Sequence, residues 1–176
     1  AERHADNPDF RADMVATLQN SAARMNDLLA RLSQHHSGRP DALGPVEIVP
    51  LIERVIALRR ALHPIATAGL RDAIALADPA RVEQVLGHLL QNAIDASPVD
   101  DPITVMVGRA DHAITIDVVD HGPGMSPAFI RDKLFKPFVS SKSGGFGLGA
   151  FEARQLTEAM GGRIEAFSRE GEGSRF

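Results

Sequence analysis

Residues 120–149 read DHGPGMSPAFIRDKLFKPFVSSKSGGFGLG, and what this stretch joins decides the fold. An alternating apolar run, Ala113 to Val119, ends on one carboxylate, Asp120. Gly122, Pro123 and Gly124 follow at once. Further on come Phe135 and Phe138 in LFKPF, a basic residue at Lys142, and the set Gly145, Gly147 and Gly149. A helical pattern opens directly after them. Period-two alternation marks a strand, and the carboxylate at its end stands beside backbone that carries no Cβ. A helix start offers unpaired N–H groups and the positive end of its dipole, which favour phosphate. The stretch therefore suits a site that holds a base at one end and phosphates at the other.

Immediately upstream, Asp100-Asp101-Pro102 turns the chain into a strand over 103–107. A short turn at Ala110-Asp111-His112 then leads into the strand over 113–119, an antiparallel hairpin. Before it, Asp78-Pro79 supplies an N-cap and a first-turn proline for a helix running to about Ser97. Val82, Val85, Leu86, Leu89, Leu90, Ala93 and Ile94 form its apolar stripe, while Gln84, His88, Asn92 and Asp95 line another face. Earlier still, the sequence predicts a strand over 46–49, a helix from Pro50 to about Leu62 with Leu51, Val55, Leu58 and Leu62 inward, a loop holding Pro64 and Gly69, and a strand over 73–77. Downstream, a helix over 148–160 is stopped by Gly161-Gly162, and strands over 163–168 and from Ser174 follow.

The first 36 residues differ in kind. Met14, Leu18, Ser21, Met25, Leu28 and Leu32 mark an a/d seam on a helix over 8–36, capped by Asn7 with Pro8 at its first position. Such a helix needs partner helices, and Ser37-Gly38-Arg39-Pro40 breaks it. Two units are expected: residues 1–37 and residues 45–176. The fold class expected is α+β, a two-layer sandwich whose mixed, mostly antiparallel sheet is covered on one face by helices, plus the N-terminal bundle helix.

Bulk composition narrows the function classes. The chain has 176 residues, 44% hydrophobic and 24% charged, with no cysteine and a formal charge of −4. The acidic balance argues against nucleic acid as a partner, because phosphate backbones need concentrated Lys and Arg. Without cysteine there is no disulfide framework and no thiolate metal site. No apolar run approaches the length of a membrane span, so no membrane contact is expected of these residues. Neither a GxxxxGK[ST] phosphate loop nor a His-Glu-x-x-His zinc motif occurs, and Gly-Phe-Gly-Leu-Gly does not fit GxGxxG.

Four blocks in order carry a resemblance: HLLQNAIDAS (88–97), DHGPGM (120–125), LFKPFVSSK (134–142) and GGFGLG (144–149). They resemble the N, G1, F and G2 boxes of the ATP-binding domain of sensor histidine kinases, a fold shared with gyrase, mismatch-repair and chaperone ATPases. The closing EGEGSRF resembles a further glycine turn of those kinases, and the likeness covers residues 45–176. Within the family, the short lid and the QLTEAMGG segment look most like sensor kinases associated with the PEP-CTERM/exosortase system.

What the resemblance implies can be carried over by position. Asp120 would accept from the adenine amino group, with Gly122, Gly124 and Met125 beside the purine. Asn92 would offer its amide oxygen to Mg²⁺, with Asp95 nearby on the same helix. Lys142, Gly145, Gly147, Leu148 and Gly149 would meet the phosphates, and Phe138 would belong to the lid over residues 126–144, anchoring it apolarly together with Phe135. His88 stands where these kinases usually carry Asn and related ATPases carry a catalytic Glu. With Asn92 it occupies the catalytic face, where a neutral imidazole can hydrogen-bond water or metal-bound water, or can serve structurally. His121 replaces the usual Asn after Asp120.

The resemblance implies a protein-histidine kinase with ATP and Mg²⁺ as its nucleotide and metal. Its partners would be its own dimerisation helix and a response-regulator receiver domain, and the full protein would be a homodimer. The domain would lie in the cytoplasm as part of a membrane-anchored kinase. Residues 8–36 would be the second helix of the dimerisation hairpin, with the phosphoacceptor His on a helix before it, so these residues alone should bind nucleotide without autophosphorylating. A nucleotide-gated ATPase of the repair or topoisomerase type and a degenerate scaffold module are the competing readings. The first would place Glu at position 88 and lack the bundle helix; the second would bind no ATP.

Overall fold

The computed structural model describes residues 43–139 and 147–176, all within the compact unit Ala42–Phe176. The helix expected over 8–36 and the site candidates Lys142 and Gly145 lie outside the described residues.

Strand β1 (Gly44–Glu47) leads straight into helix α1 (Ile48–Ala57). Ile48, Leu51, Ile52, Val55 and Ile56 recur at helical spacing, and all five are buried. The helix starts and stops earlier than the sequence suggests. Pro50 sits inside the first turn, where a missing N–H forfeits no intrahelical bond. At the other end the N–H groups of Arg59 and Arg60 both return to Ile56 O, at 2.8 and 3.0 Å, and the chain turns away. Leu58 and Leu62 are therefore not on the buried face; they are 80% and 62% exposed. The turn instead delivers His63 into the interior, its Nε2 2.7 Å from Asp101 O.

The segment after Pro64 is a strand, β2 (Ile65–Gly69), where the sequence suggests a loop. Its residues do not alternate because only Ile65 turns partly inward; the pairing comes from β4, far along the chain. Strand β3 (Ile74–Ala77) follows, then helix α2 (Pro79–Ala96). Asp78 caps α2 as its sequence demands: Oδ1 accepts from Ala80 N at 2.9 Å and Arg81 N at 3.2 Å. Asp78→Ala should remove both bonds and lower stability by about 1–2 kcal/mol. Urea unfolding reads this directly, and an unchanged midpoint would show that the cap carries no stability.

Strands β4 (Ile103–Ala110) and β5 (Ala113–Asp120) form the hairpin, closed at Asp111, whose φ is 53°. A short helix, α3 (Pro127–Asp132), occupies part of the expected lid, with Ser126 Oγ accepting from Phe129 N. Helix α4 (Gly149–Ala159) comes next, then β6 (Phe167–Arg169) and β7 (Gly173–Arg175). The strand expected over 163–168 is limited to the three residues of β6, which pair with β7.

Two sheets result. β1 pairs antiparallel with β3, and a five-stranded sheet runs β2-β4-β5-β7-β6, antiparallel except where β2 lies parallel to β4. Ile103, Val105 and Val107 of β4 and Val118 of β5 turn to one face. There they share a core with α1, with Val82, Leu86, Leu89, Leu90 and Ala93 of α2, and with Ala153 of α4. Helices on one face of a mixed sheet give the α+β sandwich expected from the pattern. Asp120, the last residue of β5, emerges where this sheet meets the C-terminal end of α2.

Candidate nucleotide site

Asp120 is 4% exposed, and its Oδ1 accepts from Gly122 N at 2.9 Å, an Asx turn that fixes the side chain. A Cβ on Gly122 would lie 2.7 Å from Ala96 O, so the absence of a side chain lets this loop close onto the end of α2. Gly124 has φ +68°, and a Cβ there would fall 1.8 Å from Arg169 O. The nearest neighbours of both glycines are thus protein backbone.

Ser168 holds the same loop from the other side. Its Oγ accepts from Met125 N at 2.8 Å, donates to Gly173 O at 2.7 Å and lies 3.0 Å from Ser174 Oγ. Ser174 pairs with Asp120 across the β5–β7 ladder. The sequence offered no mark for Ser168; Ser174 lay within the glycine turn EGEGSRF, which hinted at it.

The opposite end of the site is built by α2 and α4. Leu148, buried at the cap of α4, offers no side-chain hydrogen bond to the helix start, and a helix start without a side-chain cap suits an anion. From the Cβ position of Gly149, Asn92 Oδ1 is 3.8 Å away and His88 Nδ1 is 3.5 Å away. Two side chains one turn apart on α2 therefore converge on the first residue of α4. Asp95 is exposed one turn beyond, its Oδ1 accepting from Gln91 Nε2 at 2.7 Å. Gly147 lies against the backbone of Val139 with φ +66°.

His88 has a neighbour that the sequence did not single out. Glu152, in the first turn of α4 and 5% exposed, brings Oε2 to 3.0 Å from His88 Nε2. The separation is that of an ion pair, but the angle is off-line, and Nε2 has no aligned acceptor among the described residues. A lone Glu near a helix start reads as a solvated partner of the dipole, so burial was its only distinguishing sign.

The two phenylalanines behave differently from one another. Phe135 is half-buried under the Arg154 guanidinium, 5.4 Å from its ring centroid. Phe138 is 69% exposed and holds φ +63°, so it anchors nothing among the described residues. Leu134, in the same turn, is buried. A φ in that region is strained for a bulky side chain, at about 1–3 kcal/mol.

A hollow of about 610 Å³ reaches Asp120 from elsewhere, between α3 and the β5-β7-β6 strands, lined by Ile130, Arg131, Phe167 and Arg175 among others. No residue of α2 or α4 lines it. Among the described residues no group of three or more His, Asp or Glu side chains is placed to hold a metal ion. No helix of the described residues is long and apolar enough to cross a membrane.

Comparison with known proteins places this geometry. The sensor protein KdpD of Mycobacterium tuberculosis is 33% identical over 187 aligned residues, which cover 96% of this chain and 21% of that protein. The C4-dicarboxylate transport sensor protein DctB of Rhizobium meliloti is 33% identical, covering 89% of this chain and 26% of that protein. The chain thus spans about a fifth to a quarter of the length of these curated relatives. Among solved structures, the catalytic domain of histidine kinase ThkA superposes with a TM-score of 0.69 at 27% identity, covering 77% of this chain and 93% of that one. Residues 77–176, from the Asp78 cap through Ser174, match the family described as histidine kinase-, DNA gyrase B- and HSP90-like ATPases, and the chain belongs to that family.

Proposed function

We propose that the chain binds Mg·ATP as the catalytic part of a two-component sensor histidine kinase. The observation that carries this reading is the convergence of Asn92 and His88 on the start of α4, which has no side-chain cap, with the buried Asp120 beside the C-terminal end of the same helix α2. Asp120 Oδ2 takes the adenine amino group, with Gly122, Gly124 and Met125 forming the wall beside the purine. The first turn of α4, with Gly147, Leu148 and Gly149, takes the phosphates; Lys142 and Gly145 add to it from the lid, and Phe138 borders it. Asn92 supplies an amide oxygen to Mg²⁺. That fits the donor set: Mg²⁺ keeps few protein ligands and brings phosphate oxygens and water with it, so a carboxylate cluster is not required. Asp95 stands beside this ligand on α2.

Phosphoryl transfer in such a site depends on positioning and charge neutralisation, with little covalent help from the protein. Residues 45–176 form the ATP-binding domain and residues 1–37 part of a dimerisation hairpin, in a kinase that works as a homodimer with this domain in the cytoplasm. The phosphoryl group passes to a histidine of the dimerisation domain and then to a response regulator. ThkA in complex with the response regulator TrrA has the same fold, TM-score 0.72 at 23% identity, and supports that class of partner.

Calorimetry with AMP-PNP tests the site. Binding should saturate at one nucleotide per chain and weaken when EDTA removes Mg²⁺. Asn92→Ala should abolish the Mg²⁺ dependence and weaken binding by roughly 10- to 150-fold, the equivalent of losing about 1.5–3 kcal/mol of interaction with a charged group. A variant that kept the full Mg²⁺ dependence would refute Asn92 as the ligand.

A further inference from the structure

We propose that Glu152 positions His88 at the far end of the candidate site, and that the pair acts on the terminal phosphate rather than on the rest of the nucleotide. This rests on the ATP-site reading above and extends it to a residue that reading does not use.

The polarity of the candidate site is written along α2. Ala96 packs on Gly122 beside Asp120, so it marks the base end. Asn92 lies one turn back, at the start of α4, and His88 one turn further. From Ala96 to His88 is a rise of about 12 Å along the helix axis. A nucleotide whose base sits at Asp120 and whose phosphates pass Asn92 therefore reaches His88 last.

The imidazole is held from behind. Its Nε2 faces the carboxylate of Glu152 at 3.0 Å, and its Nδ1 faces the Gly149 end of α4. The hydrogen bond made by one ring nitrogen sets which nitrogen carries the proton. A carboxylate opposite Nε2 keeps the proton there and leaves the Nδ1 lone pair toward the phosphate end, an acceptor for a water of the nucleotide's shell. The present angle is off-line, but the His χ2 torsion is broad, so a modest ring rotation aligns it. Burial of Glu152 fits the same role: a carboxylate taken out of water needs polar company, and the His88 imidazole, 3.0 Å away, supplies part of it.

A merely structural clamp between α2 and α4 would make the same contact, so the test must separate the two. Mg·AMP-PNP and Mg·ADP are titrated calorimetrically into the 176-residue chain and into the variants His88→Ala, Glu152→Ala, Glu152→Gln and the double alanine. Glu152→Ala should weaken AMP-PNP by about tenfold, as His88→Ala does, and ADP by less than about twofold. The double variant should be no weaker than either single one, because the two residues act as a unit. Glu152→Gln keeps an acceptor oxygen and should recover most of the affinity. If Glu152→Ala melts too low to titrate, Glu152→Met, which has bulk but no such acceptor, replaces it. Equal losses for both nucleotides, or additive losses in the double variant, overturn the proposal while leaving the site intact. Failure of the parent chain to bind either nucleotide overturns the ATP reading itself.

Discussion

Asp120→Asn will weaken ADP binding by roughly 10- to 150-fold while leaving the protein folded. The carboxylate is buried, and Oδ1 is already engaged by Gly122 N–H. Asparagine can keep that turn through its amide oxygen, so the loop survives. Its NH₂ then occupies the place of Oδ2 and meets the adenine amino group donor to donor. A hydrogen bond to a charged acceptor is worth about 1.5–3 kcal/mol, which gives the range stated. Calorimetry with ADP and a thermal melt on the same sample are the two measurements needed. ADP binding within twofold of the parent, at an unchanged melting temperature, would place the base elsewhere.

Gly124→Ala should do the converse, damaging the fold first and binding as a result. A Cβ at this position meets the Arg169 carbonyl at 1.8 Å, and the clash is with backbone that no side-chain rotation relieves. The left-handed φ of +68° adds its own cost for any L side chain. Together these should destabilise by about 3 kcal/mol or more, on the order of 10 °C in melting temperature. Because the same loop carries Met125 onto Ser168, the shift should also displace Asp120 and weaken nucleotide binding. A melt within about 2 °C of the parent would mean that the 123–125 and 169–171 segments separate easily.

Much of this architecture was legible because its determinants are local. The Asp78 cap, the apolar stripe of α2 and the β4–β5 hairpin each lie within one short window, where spacing alone carries the signal. The start of α4 was legible for the same reason, since glycines and a helical period adjoin there. Strand β2 was not, because Ile65–Gly69 has no alternation of its own and takes its conformation from β4. The end of α1 was misplaced since Leu58 and Leu62 keep the helical period although the chain has already turned to bury His63. Helix α3 was hidden inside a stretch read as lid. Within the candidate site, Asp120, Asn92 and the glycines stand out in the sequence by residue type. Glu152 and Ser168 do not, because what distinguishes them is contact with a distant segment, His88 for one and the 125 and 173 backbone for the other.

The ladder joining β5 to β7 is short: Val119 faces Arg175, Asp120 faces Ser174, and Phe176 exchanges bonds with Val118 at 2.9 and 3.0 Å. So brief a seam is among the first to open in native fluctuations, and it closes a long excursion of the chain. A purine docked on Asp120 would act as a rivet on that seam. At a ligand concentration of about 100 times its dissociation constant, the gain of about 2.7 kcal/mol should appear first as slowed amide exchange in residues 173–176, ahead of the hairpin core.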